Sequence, residues 1–249
     1  MSTKQHLVLS AFAGIFAATT AVASGDAPSW NHGQADSWGE ISEEYKVCGI
    51  GQAQSPIDIP SKQAIEAEPA PLAINWQSFT PEVVNNGHTI QANTDGQAGT
   101  VTLGGKDYKL LQYHFHHLSE HTVDGEHAPM EVHFVHQSDA GDLLVVGVLI
   151  NEGEANPNLA ALWEVMPQDH GEARAKQAVN PEDLLPENKA AYRYKGSLTT
   201  PPCSEIVTWH VLKDSVTASP EQIEKFKALY PANYRPVQDG NRRYILLDE

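Results

Sequence analysis

The segment QYHFHHLSEHTVDGEHAPMEVHFVHQ, residues 112–137, carries seven of the twelve histidines in this chain of 249 residues. In a β-strand, residues two positions apart point to the same face, so a strand here projects the imidazoles of His114 and His116 together. Residues 131–137 alternate in the same way, and Asp124-Gly125, a turn signal, lies between the two segments. The pattern therefore predicts two neighbouring strands joined as a hairpin.

A third imidazole on this face predicts a metal site. His133 lies on the second strand, and three neutral imidazoles leave one tetrahedral position open, as in catalytic rather than structural zinc sites. Gln112 shares a face with His114 and His116, and Glu131 shares one with His133, so both can accept the second N–H of a ligand. A His-x-His pair alone also occurs on solvated strands, but the third histidine and the two acceptors favour a metal. His117 faces the other way and is interpreted as a non-ligand. The other histidines of the segment are interpreted as structural or exposed rather than ligating: His121, His127 and His136.

Strand signals dominate the rest of the chain. Short segments rich in β-branched and aromatic residues predict strands at 83–93, 100–103, 108–117, 143–150 and 206–212. Gly104-Gly105 marks a turn, and the continuous apolar run at 143–150 indicates a strand that is covered on both faces. Helical spacing appears at 158–166, and Ser219-Pro220 followed by Gln222 predicts a second capped helix. No linker divides residues 26–249, so the sequence predicts one β-rich α+β domain on a large sheet.

The first residues are typical of an export signal. A short apolar run at 7–18 follows Lys4 and precedes Ala21-Val22-Ala23, which predicts a signal peptide over residues 1–23. The alternative is an uncleaved anchor, but the apolar run is shorter than the roughly 20 residues that span a bilayer. An exported chain meets an oxidising compartment, so Cys48 and Cys203 are expected to be bonded rather than free, buried thiols.

The charge of the chain limits its partners. The formal net charge is −16, and such a surface repels phosphate backbones, which excludes nucleic acid as an expected partner. No segment after the signal peptide is apolar enough to cross a membrane. After cleavage, the chain is therefore not expected to have a membrane as a partner.

The motifs around the histidines resemble those of the α-class carbonic anhydrases of the exported, bacterial type. The resemblance covers nearly all of residues 26–249, in order, through the motifs QSPID (54–58), NNGH (85–88), QYHFH (112–116), SEHTVD (119–124), EVHFV (131–135), YRYKGSLTTPP (192–202), EIVTW (205–209) and YRP (234–236). It implies a twisted, mostly antiparallel central sheet of about ten strands with short peripheral helices. It also implies a disulfide between Cys48 and Cys203.

The resemblance further implies a periplasmic or secreted zinc lyase, monomeric or homodimeric, with carbon dioxide, bicarbonate and water as substrates. Zinc-bound hydroxide on His114, His116 and His133 would attack carbon dioxide, with Glu120 and Thr199 orienting the hydroxide. His88 matches the histidine that carries the released proton to solvent. The residues expected to form the carbon dioxide pocket are Val135, Val145, Leu198, Thr199, Thr200, Val207 and Trp209.

Two positions depart from the family pattern. His117 stands where the family has Trp, and the N-terminal Tyr that helps to order active-site water is absent, with Gln34 offered in its place. The same site is open to two other interpretations. One is a binding module that has lost catalysis, and the other is a zinc-storage protein, which would favour a closed site with four ligands.

Overall fold

The computed structural model describes residues 28–68 and 72–248, and the predicted signal peptide lies outside them. The strands within these residues are β1 (Asp58–Ile59), β2 (Ile65–Ala67), β3 (Leu72–Trp76), β4 (Glu82–Asn85), β5 (Ile90–Asn93), β6 (Gly99–Leu103), β7 (Lys106–His116), β8 (Thr122–Val123), β9 (Glu126–His127), β10 (Met130–Gln137), β11 (Leu143–Glu152), β12 (Gly171–Arg174), β13 (Ala191–Gly196), β14 (Val207–Leu212), β15 (Val216–Ala218) and β16 (Leu246–Asp248).

Short helices surround the strands. The α-helices in the same residue ranges are α1 (Trp38–Ile41), α2 (Val47–Ile50), α3 (Pro157–Val165) and α4 (Pro220–Lys227). Single 3-10 turns are present at His32–Ser37, Glu43–Tyr45, Ser61–Gln63 and Pro181–Leu184. Helix α4 begins with the predicted capping box, in which Ser219 and Gln222 bond each other's backbone N–H groups. No helix in the described part of the chain has the length and hydropathy of a membrane span.

One large sheet organises the molecule and confirms the predicted fold class. It has 13 strands, ten of which follow the order β12-β4-β5-β7-β10-β11-β14-β13-β16-β2. Most neighbours are antiparallel, but β11 pairs in parallel with β14 and β15, and β16 pairs in parallel with β2, so the sheet is mixed. Strand β11 lies in the middle, and its residues from Leu144 to Ile150 are buried, as the continuous apolar run predicted.

Apolar residues cover both faces of the central strands. On one face, alternate residues such as Leu144, Val146 and Val148 join a large core together with α3 and α4. On the other face, Val145 belongs to a smaller cluster with Val207 and Trp209. The alternation of side chains along β11 thus separates a structural core from the face that carries the histidines.

Two local predictions were wrong. The segment 83–93 is not one strand but β4 and β5, because the Asn86 side chain accepts from the backbone N–H groups of His88 and Thr89 and closes a turn. Gly87 in this turn has φ +83°, a conformation that favours glycine. The Asp124-Gly125 turn joins β8 to β9, which pair with each other, and β8 also pairs with β1. Strands β7 and β10 are adjacent and antiparallel, but the connection between them is longer than this turn.

The two cysteines form a disulfide. Cys48 in α2 and Cys203 in the loop after β13 are bonded, with their Cα atoms 5.1 Å apart and a sequence separation of 155. A simple chain-entropy model gives such a bridge a stabilisation of roughly 5 kcal/mol. The bridge fixes the loop that carries Thr199 and Thr200 against the N-terminal helices.

Candidate active site and metal centre

Three histidine side chains meet on one face of the large sheet. His114 and His116 alternate along β7, and His133 on β10 lies directly opposite His114 in the antiparallel register. One ring nitrogen from each of the three lies within 4.8 Å of the others. The register of two neighbouring strands, as the sequence predicted, therefore brings three imidazoles to one point.

Each of these imidazoles is held by a partner on its other nitrogen. His114 Nδ1 lies 2.9 Å from Gln112 Oε1, and His133 Nε2 lies 2.8 Å from Glu131 Oε1. His116 Nδ1 lies 2.7 Å from the backbone oxygen of Asn233. The predicted acceptors Gln112 and Glu131 are therefore in contact with the rings. The three nitrogens left to face one another are Nε2 of His114, Nε2 of His116 and Nδ1 of His133.

These free nitrogens fit a metal ion. Burial lowers the pKa of His116 to about 4 and lowers the pKa of His114 and His133 as well, so all three rings are neutral near pH 7. Neutral imidazole is the form that binds metal. His116 Nε2 is buried and has no hydrogen-bond partner among the described residues, which is costly unless a ligand or metal occupies the space. Three imidazole donors with an open fourth position match the preferences of catalytic zinc.

Glu131 connects His133 to the segment between β7 and β8. Its Oε2 accepts from the backbone N–H groups of Glu120 and His121 at 2.8 and 2.9 Å, and its Oε1 lies 2.8 Å from His121 Nδ1. Burial alone would raise the pKa of Glu131, but His121 and His133 hold it well below its usual range. His121 continues the network to the hydroxyl of Tyr194 at 2.7 Å. His121, Glu131 and His133 are therefore hydrogen-bonded to one another, and their ligand atoms also lie within 4.8 Å of each other.

Glu120 lies beside the free nitrogens. Its Oε2 is 3.5 Å from His116 Nε2 and 3.7 Å from His133 Nδ1, and its Oε1 accepts from the backbone N–H of Arg235 at 2.8 Å. Burial raises the pKa of Glu120, while His133 and a side-chain hydrogen bond with Thr199 act in the opposite direction. Glu120 and Thr199 are thus paired next to the three imidazoles.

A cavity of about 140 Å³ opens over the histidines. His114, His116, His88 and Thr200 are among the residues that line it. His88 lies in the turn between β4 and β5, and its ring stacks on Trp30 with centroids 3.8 Å apart and planes 6° apart. Burial, followed by repulsion from His170, lowers the pKa of His88. His88 therefore lies on the same cavity as two of the free imidazoles, at a position that solvent can reach.

From the N-terminal segment, Trp30 and His32 line this cavity, and Gln34 does not. Gln34 is exposed, where its Oε1 accepts from the Asn31 side chain at 2.8 Å. His32 lines the cavity, its Nε2 is buried without a hydrogen-bond partner in the described chain, and burial lowers its pKa to about 3. The prediction that Gln34 stands in place of the N-terminal Tyr of the family was therefore wrong by two residues. The His32 ring packs against the Trp30 ring with centroids 5.3 Å apart, a contact that no strand or helix periodicity in the sequence indicates.

An apolar wall stands beside His133. Its members belong to one cluster and include every aliphatic or aromatic residue predicted for the substrate pocket: Val135, Val145, Leu198, Val207 and Trp209. The Trp209 ring lies 4.8 Å from the His133 ring, and its Nε1 donates to the Ser197 backbone oxygen at 3.1 Å. The strand register pairs Val145 with both Val135 and Trp209. A small apolar molecule beside His133 would therefore contact an apolar surface.

Sequence reasoning missed two buried residues that hold the site. Asn233 accepts the His116 N–H and donates its amide to the backbone oxygens of His88 and Phe115, both at 3.0 Å. Arg235 binds Glu120 through its backbone, while its guanidinium donates to Gln54 and to backbone oxygens. Both lie in a loop with no strand or helix pattern, so no periodicity could point to them.

Comparison with known proteins gives a consistent result. The family described as eukaryotic-type carbonic anhydrase matches residues 33–248. A carbonic anhydrase of Pectobacterium carotovorum is 41% identical over 226 residues, covering 89% of this chain and 91% of the relative. One from Neisseria gonorrhoeae is 39% identical over 92% of each chain. The solved α-carbonic anhydrase of Thermovibrio ammonificans is 45% identical with a TM-score of 0.84, covering 88% of this chain and 99% of that one.

Proposed function

This chain belongs to the α-class, or eukaryotic-type, carbonic anhydrase family, and on that premise we propose how its residues perform the reversible hydration of carbon dioxide. The reaction joins carbon dioxide and water and yields bicarbonate and one proton. The site must therefore supply a nucleophilic oxygen, hold an apolar substrate and export a proton.

His114, His116 and His133 are proposed to hold a zinc ion through Nε2, Nε2 and Nδ1. When bound, zinc lowers the pKa of water to about 7, a value for which carbonic anhydrases themselves are the reference case. Gln112, the Asn233 carbonyl and Glu131 keep the second nitrogen of each ring occupied. They thereby fix the tautomer and orientation of the three donors.

Glu120 and Thr199 are proposed to orient the attacking oxygen. The Thr199 hydroxyl donates a hydrogen bond to the Glu120 carboxylate. The Thr199 oxygen can then accept a hydrogen bond from the nucleophile. Glu120 is itself fixed by the Arg235 backbone N–H. A nucleophile held in this way points its remaining lone pair at the substrate rather than rotating freely, which lowers the entropic cost of attack.

The apolar wall is proposed to bind carbon dioxide. Val145, Val207 and Trp209 are buried, and Val135 and Leu198 pack against them, so water gains no hydrogen bonds there. Thr200 lines the adjacent cavity, and its hydroxyl is proposed to bond the polar product. The site thus offers an apolar surface to the substrate and polar groups to bicarbonate.

His88 is proposed to carry the proton to solvent. It lies on the cavity beside His114 and His116 yet is only part-buried, and a histidine titrates closer to neutrality than other side chains. Burial and His170 favour the neutral ring, so a proton received by His88 is readily released to buffer. Its stacking on Trp30 holds the ring at the mouth of the cavity.

The observation that carries these assignments is the set of three free, mutually facing imidazole nitrogens, each fixed by a partner on its other nitrogen. Purified protein is expected to contain about one zinc per chain, and His133→Ala is expected to lose most of it. Elemental analysis of the two proteins tests the ligand set. Full zinc retention by the variant would contradict it.

We also infer export of a single mature domain, residues 26–249, to the periplasm or the cell exterior. The disulfide supports an oxidising compartment, and residues 1–23 have the pattern of a cleaved signal. N-terminal sequencing of secreted protein is expected to begin after Ala23. Sedimentation of that material decides between the monomer and the homodimer.

A further inference from the structure

A second cavity, larger than the first, lies on the opposite face of the large sheet from the histidine cluster. It has a volume of about 580 Å³, and we call it the rear pocket; the residues that define it include Leu103, Tyr108, Arg193, Lys195, Thr208 and Leu246. Lys195 and Thr208 are direct neighbours across β13 and β14, whereas the next pair, Tyr194 and Trp209, belongs to the cluster on the histidine side. The alternation of the strands therefore places Lys195 and Thr208 on the opposite face from Trp209, while Tyr194 also lines the rear pocket.

The size and walls of the rear pocket suit a small organic molecule. Sites for such ligands typically enclose about 300–1,000 Å³ and are mostly apolar with a few polar groups. Leu103 and Tyr108, from the β6–β7 hairpin, form one wall, and Leu246 with Tyr244 forms another. Tyr244 is 76% exposed, which leaves an aromatic surface available at the opening.

The polar groups of the rear pocket are cationic. The Lys195 ammonium donates to the Thr208 hydroxyl at 2.5 Å and has no ion-pair partner among residues 28–68 and 72–248. Arg193 lies beside it and is paired with Asp248, with Nη2 and Oδ1 3.3 Å apart. Asp142, which also acts on Lys195, is already bonded to Lys106. In a chain of net charge −16, this pocket is therefore a local site of unbalanced positive charge.

A buried histidine, His210, lies on the same face of the sheet as these cations. His210 faces the same side of β14 as Thr208 and pairs with Arg193 in the register. It is 1% exposed, and neither ring nitrogen has a hydrogen-bond partner within the described residues. His210 is not among the residues that line the rear pocket, so its unpaired nitrogens take no part in the proposed ligand contacts.

We propose that the rear pocket is a second ligand site, which binds a small organic monoanion with an aromatic or aliphatic body. The carboxylate of such a ligand bonds the Lys195 ammonium and approaches the Arg193 guanidinium. Its apolar body lies between the β6–β7 hairpin and Leu246. This site is separate from the zinc ligands and does not depend on the proposed catalytic roles.

The test uses 2-naphthoate as the probe and isothermal titration calorimetry on the intact mature protein. One probe is expected to bind per chain. Lys195→Met is expected to weaken binding about tenfold, the size of one lost charge-assisted hydrogen bond, and Lys195→Glu is expected to weaken it further. Lys46→Met, which removes an exposed lysine elsewhere, is the matched control and is expected to bind as the native chain does. Because Lys195 is exposed and outside the catalytic site, both variants should retain carbon dioxide hydration, which verifies their folding.

Three outcomes would overturn the proposal. The first is no saturable binding at millimolar probe. The second is equal affinity of the native chain, Lys195→Met and Lys195→Glu for 2-naphthoate, or binding of the uncharged 2-naphthalenemethanol as tightly as 2-naphthoate. Either result would show that the pocket does not recognise the negative charge of the ligand. The third is a dimer that Tyr244→Lys dissociates and that excludes the probe, because this face would then be covered by a second copy of the chain.

Discussion

Replacement of Glu131 by Gln changes the charge of one buried group while almost preserving its shape. Glu131 Oε2 accepts two backbone N–H groups, and Oε1 lies 2.8 Å from both His121 Nδ1 and His133 Nε2. A Gln oxygen retains the two backbone donors only if its NH₂ group takes the place of Oε1. That NH₂ then donates to His133 Nε2 and moves the ring proton to Nδ1, the nitrogen proposed to bind zinc.

The expected result is a loss of zinc affinity of about 10- to 100-fold, or roughly 1.4–2.7 kcal/mol, as is typical when the partner of a metal-binding histidine is replaced. Competition with a chelator of known zinc affinity measures the change. Glu126→Gln, the same substitution at an exposed position of β9, is the control and should bind zinc as the native chain does. If Glu131→Gln retained native zinc affinity, the argument that Glu131 fixes the His133 tautomer would be wrong.

Three further outcomes are expected. His88→Ala should reduce kcat in dilute buffer, with partial rescue by free imidazole, but leave kcat/KM for hydration nearly unchanged. Thr199→Ala should reduce kcat/KM itself. If imidazole gave His88→Ala no rescue, or if kcat/KM fell equally in both variants, His88 would not be the proton carrier. Thiol titration of denatured, unreduced protein should find no free thiol, and reduction should lower Tm, so two titratable thiols would contradict the bridge. Burial lowers the pKa of His136 to about 3, so the folded state binds fewer protons than the unfolded state between that value and about 6.5, and the free energy of unfolding decreases as the pH falls through this window. In urea unfolding of the protein at pH 6.5 and 5.0, His136→Leu should therefore lose about 2 kcal/mol less than the native chain, and an equal loss would contradict a neutral, buried His136.

The part of the site that could be predicted from the sequence is the part built on strand alternation. Gln112, His114 and His116 share one face because they are spaced by two, and the same holds for Glu131 and His133. The burial of both faces of β11 could also be predicted, because its apolar run is continuous rather than alternating. The local sequence pattern was sufficient to predict which residues of a single strand share a face.

The rest depends on contacts between distant parts of the chain. Asn233 reaches His116 from a loop 117 residues away, and no repeating pattern in that loop distinguishes it. The two-strand structure of 82–93 depends on the Asn86 side chain, whose hydrogen bonds with the backbone outweigh the strand preference of the flanking residues. His32 enters the cavity through ring packing with Trp30 and His88, which strand or helix periodicity cannot express.

The most direct test of the account is stopped-flow hydration of carbon dioxide by the zinc-replete mature protein, before and after removal of metal with a chelator. The account predicts rapid hydration that is lost with the metal and restored by added zinc. A zinc-storage protein would bind the ion without hydrating carbon dioxide, and a module without catalysis would be inactive in both states. Hydration that persisted at full rate in chelated, zinc-free protein, or that was absent from protein carrying one zinc per chain, would contradict the central claim.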